Sequence, residues 1–293
     1  MLATRLGTPG WAIVDCRHEL MRPQAGRTAF AEGHIPGAVF LHMDDDLSGP
    51  RTGHNGRHPL PQPEVLAHRL GAIGIDSTSQ VIVYDAQGGM MAARLWWLLR
   101  WLGHDAVAVL DGGLPHWQAR GFALTGETNA PDSGLLEWRL RDWVVDTAAI
   151  EAHLPASAGT ASGRAFEASA MRGAGADFIL IDARANDRYR GENETIDPLA
   201  GHVPGARNHP FSTNLAANGC FRSAEELRSL WQATLSGRGA GDTVQMCGSG
   251  VSACHNLLAL EVAGLPGSRL YAGSWSEWCS ATHRPIAQGA EPA

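Results

Sequence analysis

The residues with the plainest chemical potential lie between Thr243 and Ala263, TVQMCGSGVSACHNLLALEVA. A β-type run (Thr243, Val244, Gln245, Met246) ends at Cys247, glycines follow at Gly248 and Gly250, and an apolar, helix-compatible segment begins near Ala253. The pattern reads as strand, tight loop, helix. A loop of small residues feeding a helix start can turn its backbone N–H groups inward as an anion-binding nest, and the helix dipole adds partial positive charge. A thiol at the mouth of such a loop is expected to ionise below the usual cysteine value of ~8.5, and the thiolate is the nucleophilic form. Cys247 is therefore the candidate nucleophile, and the loop Gly248, Ser249, Gly250, Val251 and Ser252 the candidate cradle for its substrate. A cysteine that only filled a core would have no need of Gly248 and Gly250. Phosphate chemistry could use a similar Cys-x5-Arg loop, in which an arginine grips the phosphate. Here the sixth position after Cys247 is Ala253, which has no guanidinium to offer.

Composition narrows the rest. At 293 residues, 44% of them hydrophobic, the chain is long enough for two domains with a core each. A net charge of −7 and the lack of any Lys/Arg-rich run give no basic field of the kind nucleic acid needs, so no nucleic-acid partner is expected. The N-terminus lacks an apolar core of signal-peptide length. No apolar run approaches the ~18 residues of a membrane span, and a soluble cytoplasmic protein without a membrane partner is expected. The five cysteines are odd in number and scattered, with no CxxC pair, which argues against a disulfide framework and a zinc site. Adjacent Cys254 and His255 would point about 100° apart on a helix, so they do not join Cys247 as metal ligands. No metal or organic cofactor is expected, and Cys254 reads as helix packing.

The elements that must hold this loop occur twice. Trp11 to Arg17 matches Phe178 to Arg184, each an apolar strand ending in Asp-x-Arg. His34-Ile35-Pro36-Gly37-Ala38 matches His202-Val203-Pro204-Gly205-Ala206, Val81 to Asp85 matches Thr243 to Cys247, and Gly112 with Trp117 matches Gly273 with Trp278. The spacing between partners drifts from 167 residues (Asp15 to Asp182) to 161 (Gly112 to Gly273), as expected of one duplicated plan with loops of different length. Short apolar strands alternate with helix-compatible segments at Pro63 to Ile73, Met91 to Leu102 and Ala224 to Leu235. The fold class is therefore α/β, two tandem domains, each a mainly parallel sheet flanked by helices. Boundaries fall at 1–125 for the first domain, 126–142 for a polar, turn-rich linker, and 143–293 for the second. Asp146 to Leu154 reads as the second domain's opening helix, and Pro155 to Ala176 as a surface helix or loop. Asp85 stands where the second half has Cys247, so the first half has the loop without the nucleophile. The duplicated His34/His202 turns and the Asp15/Arg17 and Asp182/Arg184 pairs read as structural.

The motif CGSGVSA resembles the active-site loop of 3-mercaptopyruvate sulfurtransferases, C-G-[ST]-G-V-[TS]-A, in the tandem-domain rhodanese family. Thiosulfate-using members typically carry basic residues inside this loop, and here it has none. The resemblance implies tandem rhodanese-like domains and transfer of sulfane sulfur through a Cys247 persulfide. It favours 3-mercaptopyruvate as donor, with a small thiol, a thioredoxin-like protein or cyanide as acceptor. Thiosulfate as donor, or a non-enzymatic persulfide carrier, stays open. The family also places a histidine before a hydrophobic-Pro element and a carboxylate after the first H-x-P-G-A turn, as a relay to the loop serine. These fall here on His58, Asp44 and Ser249, with Asp45 and Asp46 beside Asp44 leaving its register open by one. His58 and Arg57 lie on a Gly/Pro-rich segment, Gly49 to Pro61, that has no counterpart in the second half. The family's G-R-[FY]-x-G element puts the substrate-carboxylate arginine on Arg188, a residue type suited to a small 2-oxo acid. One departure is Thr195, where mercaptopyruvate enzymes usually carry a second arginine. Arg190 is the expected substitute.

Overall fold

Each half of the chain builds a four-stranded, all-parallel sheet with the same strand order in the computed structural model, which describes residues 2–154 and 178–290. The first sheet runs β2-β1-β3-β4, from β1 (Trp11–Asp15), β2 (Ala38–Phe40), β3 (Gln80–Tyr84) and β4 (Val107–Val109). The second runs β6-β5-β7-β8, from β5 (Ile179–Asp182), β6 (Arg207–Asn208), β7 (Thr243–Met246) and β8 (Arg269–Leu270). Parallel neighbours need crossover connections, which here carry helices. In the first half these are α1 (Ala25–Glu32), α2 (Pro63–Ala72) and α3 (Ala92–Trp101), and α4 (Gly113–Ala119) follows β4. In the second they are α6 (Asn186–Arg190), α7 (Ala224–Leu235) and α8 (Ser252–Val262), with α5 (Thr147–His153) before β5 and α9 (Ser274–Trp278) after β8. The tandem α/β organisation expected from the repeat is the observed one.

Local chemistry explains the boundaries. Pro63 opens α2, Asp146 caps α5 by accepting the Ala149 N–H, and Ser223 with Glu226 forms a reciprocal capping box on α7. The inner strands β3 and β7 are buried along nearly their whole length, so they read as continuous runs rather than alternating ones. In the second half Val244 and Met246 pack with Trp275 and Trp278, both fully buried. Such rings each bury roughly 150–250 Å², so truncating Trp275 to Ala should cost about 3–5 kcal/mol.

Two compact units partition the chain. The first comprises Met1–Pro50, Leu60–Asp142 and Leu215–Phe221; the second comprises Arg51–Pro59, Trp143–Asn214 and Arg222–Ala293. Residues 125–142 are laid along the first unit by backbone hydrogen bonds, Thr125 to His34, Gly134 to Gly71, Arg139 to Leu102 and Arg141 to Trp101. The segment 155–176 lies outside the described residues. No described helix is long and apolar enough to cross a membrane.

The duplicated side chains do matching work. Arg17 pairs with Asp15 and donates to the Gly33 carbonyl, while Arg184 pairs with Asp182 and donates to the Gly201 carbonyl. His34 stacks on Phe30 and His202 on Tyr189. Their ring nitrogens face the Phe30 and Tyr189 carbonyls. In the first unit the carboxylate of Asp85 fills its own loop. Oδ1 accepts from the N–H groups of Gln87 and Gly89 at 2.8 and 2.9 Å, and Oδ2 from those of Met91 and Ala92 at 2.7 and 2.9 Å. The loop after β3 is thus an anion nest whose anion is built in.

Candidate active site

β7 delivers Cys247 to the start of the second unit's loop. Its N–H donates to Ser274 Oγ at 3.1 Å and its carbonyl accepts from the Trp275 N–H at 3.0 Å. The Gly248 carbonyl accepts from the Ser276 N–H at 2.9 Å, so the first turn of α9 clamps the loop on one side. On the other side the Gly250 N–H points at the Cys247 sulfur, 3.1 Å away. That donor is placed to stabilise negative charge on sulfur, and α8 begins two residues later. Gly250 sits at φ +77°, and a Cβ there would lie 2.3 Å from the Ala272 carbonyl oxygen, so only glycine fits. Cys254 is a buried packing residue whose thiol donates to the Gly250 carbonyl. Burial pushes the Cys16 thiol well up, Cys220 up, and Cys279 to about 11, which keeps these three neutral.

His58 and Ser249 meet directly: His58 Nδ1 lies 2.7 Å from Ser249 Oγ, with both residues buried. The segment carrying His58 belongs to the second unit. It is seated by the Arg57 N–H donating to Ser276 Oγ at 3.0 Å, and by Gly56, where a Cβ would meet the Gly273 carbonyl oxygen at 2.7 Å. The three aspartates expected to include the relay carboxylate are in the first unit. Asp46 accepts from the His42 N–H and pairs with Arg69, Asp45 lies near Arg27, and Asp44 places a carboxylate oxygen 4.0 Å from His18 Nε2. His18, His42 and Asp44 bring possible metal-ligand atoms within 4.8 Å of one another. The nitrogens of His42, however, face the Pro23 carbonyl and the Asp44 and Asp45 N–H groups, which leaves that ring committed to the fold.

Arg188, on α6, is not alone. Its Nε and Nη2 are held by Glu194 at 2.8–3.1 Å, and Nη2 also reaches Asp197 at 3.2 Å. Its Nη1 lies 3.6 Å from the point a Cβ on Gly248 would occupy. A second guanidinium, that of Arg57, is closer, with Nη2 2.8 Å from the same point. Arg57 Nη1 is bound to Asp197, and its buried Nε has no hydrogen-bond partner among the described residues. Arg57 Nη2 is thus set directly against Gly248. The loop itself is uncharged, yet a fixed cation stands directly upon it. Arg57 is thus a second guanidinium beside Gly248, while Arg190 is exposed. The signal was present in the sequence, since Arg57 adjoins His58 on a segment found in one half only. Burial pushes the Asp197 carboxyl up, and the Arg57 charge only partly offsets this. Glu194 is also buried, but hydrogen bonds from Arg188 and the Asp197 and Ile196 amides outweigh that and hold it below the ordinary range.

The family model for the rhodanese-like domain matches residues 1–120 and again 165–281. The chain belongs to the rhodanese-like family. It is 46% identical, over 98% of its length and 96% of the relative's, to a Pseudomonas aeruginosa protein named "Probable 3-mercaptopyruvate sulfurtransferase". It is 36% identical to the human 3-mercaptopyruvate sulfurtransferase, over 94% of this chain and 87% of that one. Other rhodanese relatives, such as one from Gallus gallus, are named thiosulfate sulfurtransferases. The solved 3-mercaptopyruvate sulfurtransferase of Leishmania major superposes with a TM-score of 0.79 at 29% identity, covering 96% of this chain and 73% of that one.

Proposed function

We propose that the protein is a sulfurtransferase that moves sulfane sulfur from 3-mercaptopyruvate to a thiophilic acceptor through a persulfide on Cys247, releasing pyruvate. The observation that carries this reading is the pair of guanidiniums over Gly248, one loop position from a cysteine whose sulfur already receives a backbone N–H. Arg57 and Arg188 hold the donor's carboxylate, and the Cys247 thiolate attacks the donor's sulfur. The new S–S bond forms as the C–S bond breaks, and its electron pair passes into the adjacent carbonyl as the enolate of pyruvate. The loop amides and Ser249 Oγ stabilise that developing charge, and the Ser249–His58 pair supplies the proton that converts enolate to pyruvate. A small thiol, a thioredoxin-like protein or cyanide then attacks the outer sulfur and restores the thiolate, in keeping with a reducing cytoplasmic setting. The first unit has a carboxylate in place of the thiol and no role in carrying sulfur.

Thiosulfate is the second reading, favoured by Arg57 as a fixed cation on the loop. The test is the ratio of kcat/KM for the two donors with one common acceptor. A ratio favouring 3-mercaptopyruvate is expected, and one favouring thiosulfate would overturn the donor assignment.

A further inference from the structure

The two arginines over Gly248 do not present bare charge. Asp197 lies between them, one carboxylate oxygen on Arg57 Nη1 and the other 3.2 Å from Arg188 Nη2. Glu194 takes the Nε–Nη2 edge of Arg188 and reaches Arg184, which is itself bound to Asp182. The cluster therefore holds three guanidiniums and three carboxylates, and all three carboxylates have side chains at most 3% exposed. Solvent screens such buried charges little. An anion arriving over Gly248 meets a charge-balanced group in which donor edges remain but net positive charge does not.

We infer that Asp197 is a specificity-determining residue that selects monoanionic over dianionic sulfur donors by spending, inside the protein, one of the two positive charges that face Gly248. The inference rests on the reading that Arg57 and Arg188 receive the donor's anionic group. A carboxylate donor needs one pair of guanidinium donors, which Arg57 Nη2 and Arg188 Nη1 beside Gly248 supply. A dianion of the thiosulfate type gains no more donors than the monoanion does, and its second charge meets the nearby carboxylate of Asp197. Asp197 touches the arginines and not the reacting sulfur, so it acts as a positioning and charge-balancing residue.

The test compares wild type, Asp197→Asn and Asp197→Glu with 3-mercaptopyruvate and with thiosulfate, at fixed ionic strength and with cyanide as acceptor. Removing one buried charge a few ångströms from the donor should raise the thiosulfate-to-mercaptopyruvate ratio of kcat/KM about tenfold or more, mainly through a lower KM for thiosulfate. Asp197→Glu, which keeps the charge, should keep the wild-type ratio. An unchanged ratio in Asp197→Asn, or equal losses for both donors, would overturn the inference. Should Asp197→Asn fail to fold, competitive inhibition of the wild type decides. Pyruvate should bind more tightly than sulfate, and the reverse order would overturn the inference. Mass analysis of Cys247 after each donor separates the two levels. Sulfur on Cys247 with an unchanged ratio refutes only the role of Asp197, whereas no sulfur on Cys247 from either donor refutes the proposed function as well.

Discussion

Replacing Arg57 with Ala isolates the contribution that the sequence motif alone did not assign. The guanidinium lies against Gly248, with Nη1 on Asp197 and Nη2 facing the loop. A donor carboxylate there would make charge-assisted hydrogen bonds worth about 1.5–3 kcal/mol each, and net losses on removing such a guanidinium centre near 3 kcal/mol. At ~1.4 kcal/mol per factor of ten this is roughly a hundredfold in kcat/KM. The carboxylate does not react, so the guanidinium binds ground state and transition state alike, and the loss should appear chiefly in KM. Arg57→Lys keeps the charge without the guanidinium and should recover about a tenth of wild-type efficiency. The backbone of the segment stays anchored in both variants, because the Arg57 N–H bond to Ser276 Oγ and the His58–Ser249 contact do not involve the replaced side chain. Initial-rate kinetics of pyruvate release over a range of 3-mercaptopyruvate concentrations give both constants, and a thermal melt checks the fold. A folded Arg57→Ala enzyme with less than threefold change in KM would refute the reasoning.

Other substitutions probe other parts of the site. His58→Ala and Ser249→Ala should each slow turnover by ~10²-fold or more, and the double variant should be little worse than either single; additive losses would show that the pair does not work as a unit. Gly250→Ala forces a Cβ to 2.3 Å from a backbone oxygen at positive φ, so persulfide formation should fall by ~10²-fold or more while Gly237→Ala, at similar φ in open space, leaves it unchanged. Acid should unfold the second unit partly through His209, whose pKa burial lowers to about 4. Above the ordinary value of ~6.5 the ring is neutral whether folded or unfolded. Between there and ~4 only the unfolded chain takes up the proton, so roughly 3 kcal/mol of stability is lost across that window. Urea titrations at successive pH values should show this step in wild type and a smaller one in His209→Asn.

What the sequence disclosed and what it withheld follow from the range of each interaction. The strand–loop–helix around Cys247 is local, and glycine at 250 and the buried runs of β3 and β7 state their geometry in their own composition. The duplication made the second sheet legible from the first, and it showed that Asp85 stands at the position of Cys247. It did not show that Asp85 saturates four amides, because that depends on the loop's path. Arg57 illustrates the opposite limit. It is 131 residues from Arg188 in the chain, and only the folding of Arg51–Pro59 into the second unit brings both guanidiniums to Gly248. The counter-ions Glu194 and Asp197 were equally hidden, since a polar stretch such as ENETIDP reads as surface loop until its carboxylates are seen buried against arginine.

The central claim is that sulfur passes through Cys247. Intact-mass and peptide-level mass spectrometry after brief treatment with 3-mercaptopyruvate, without acceptor, tests it most directly. One added sulfur, ~32 Da, should appear on Cys247, vanish when cyanide or a small thiol is supplied, and be absent from Cys247→Ser, consistent with a thiolate nucleophile. Sulfur appearing first on Cys16, Cys220, Cys254 or Cys279, or turnover persisting in Cys247→Ser, would contradict the account.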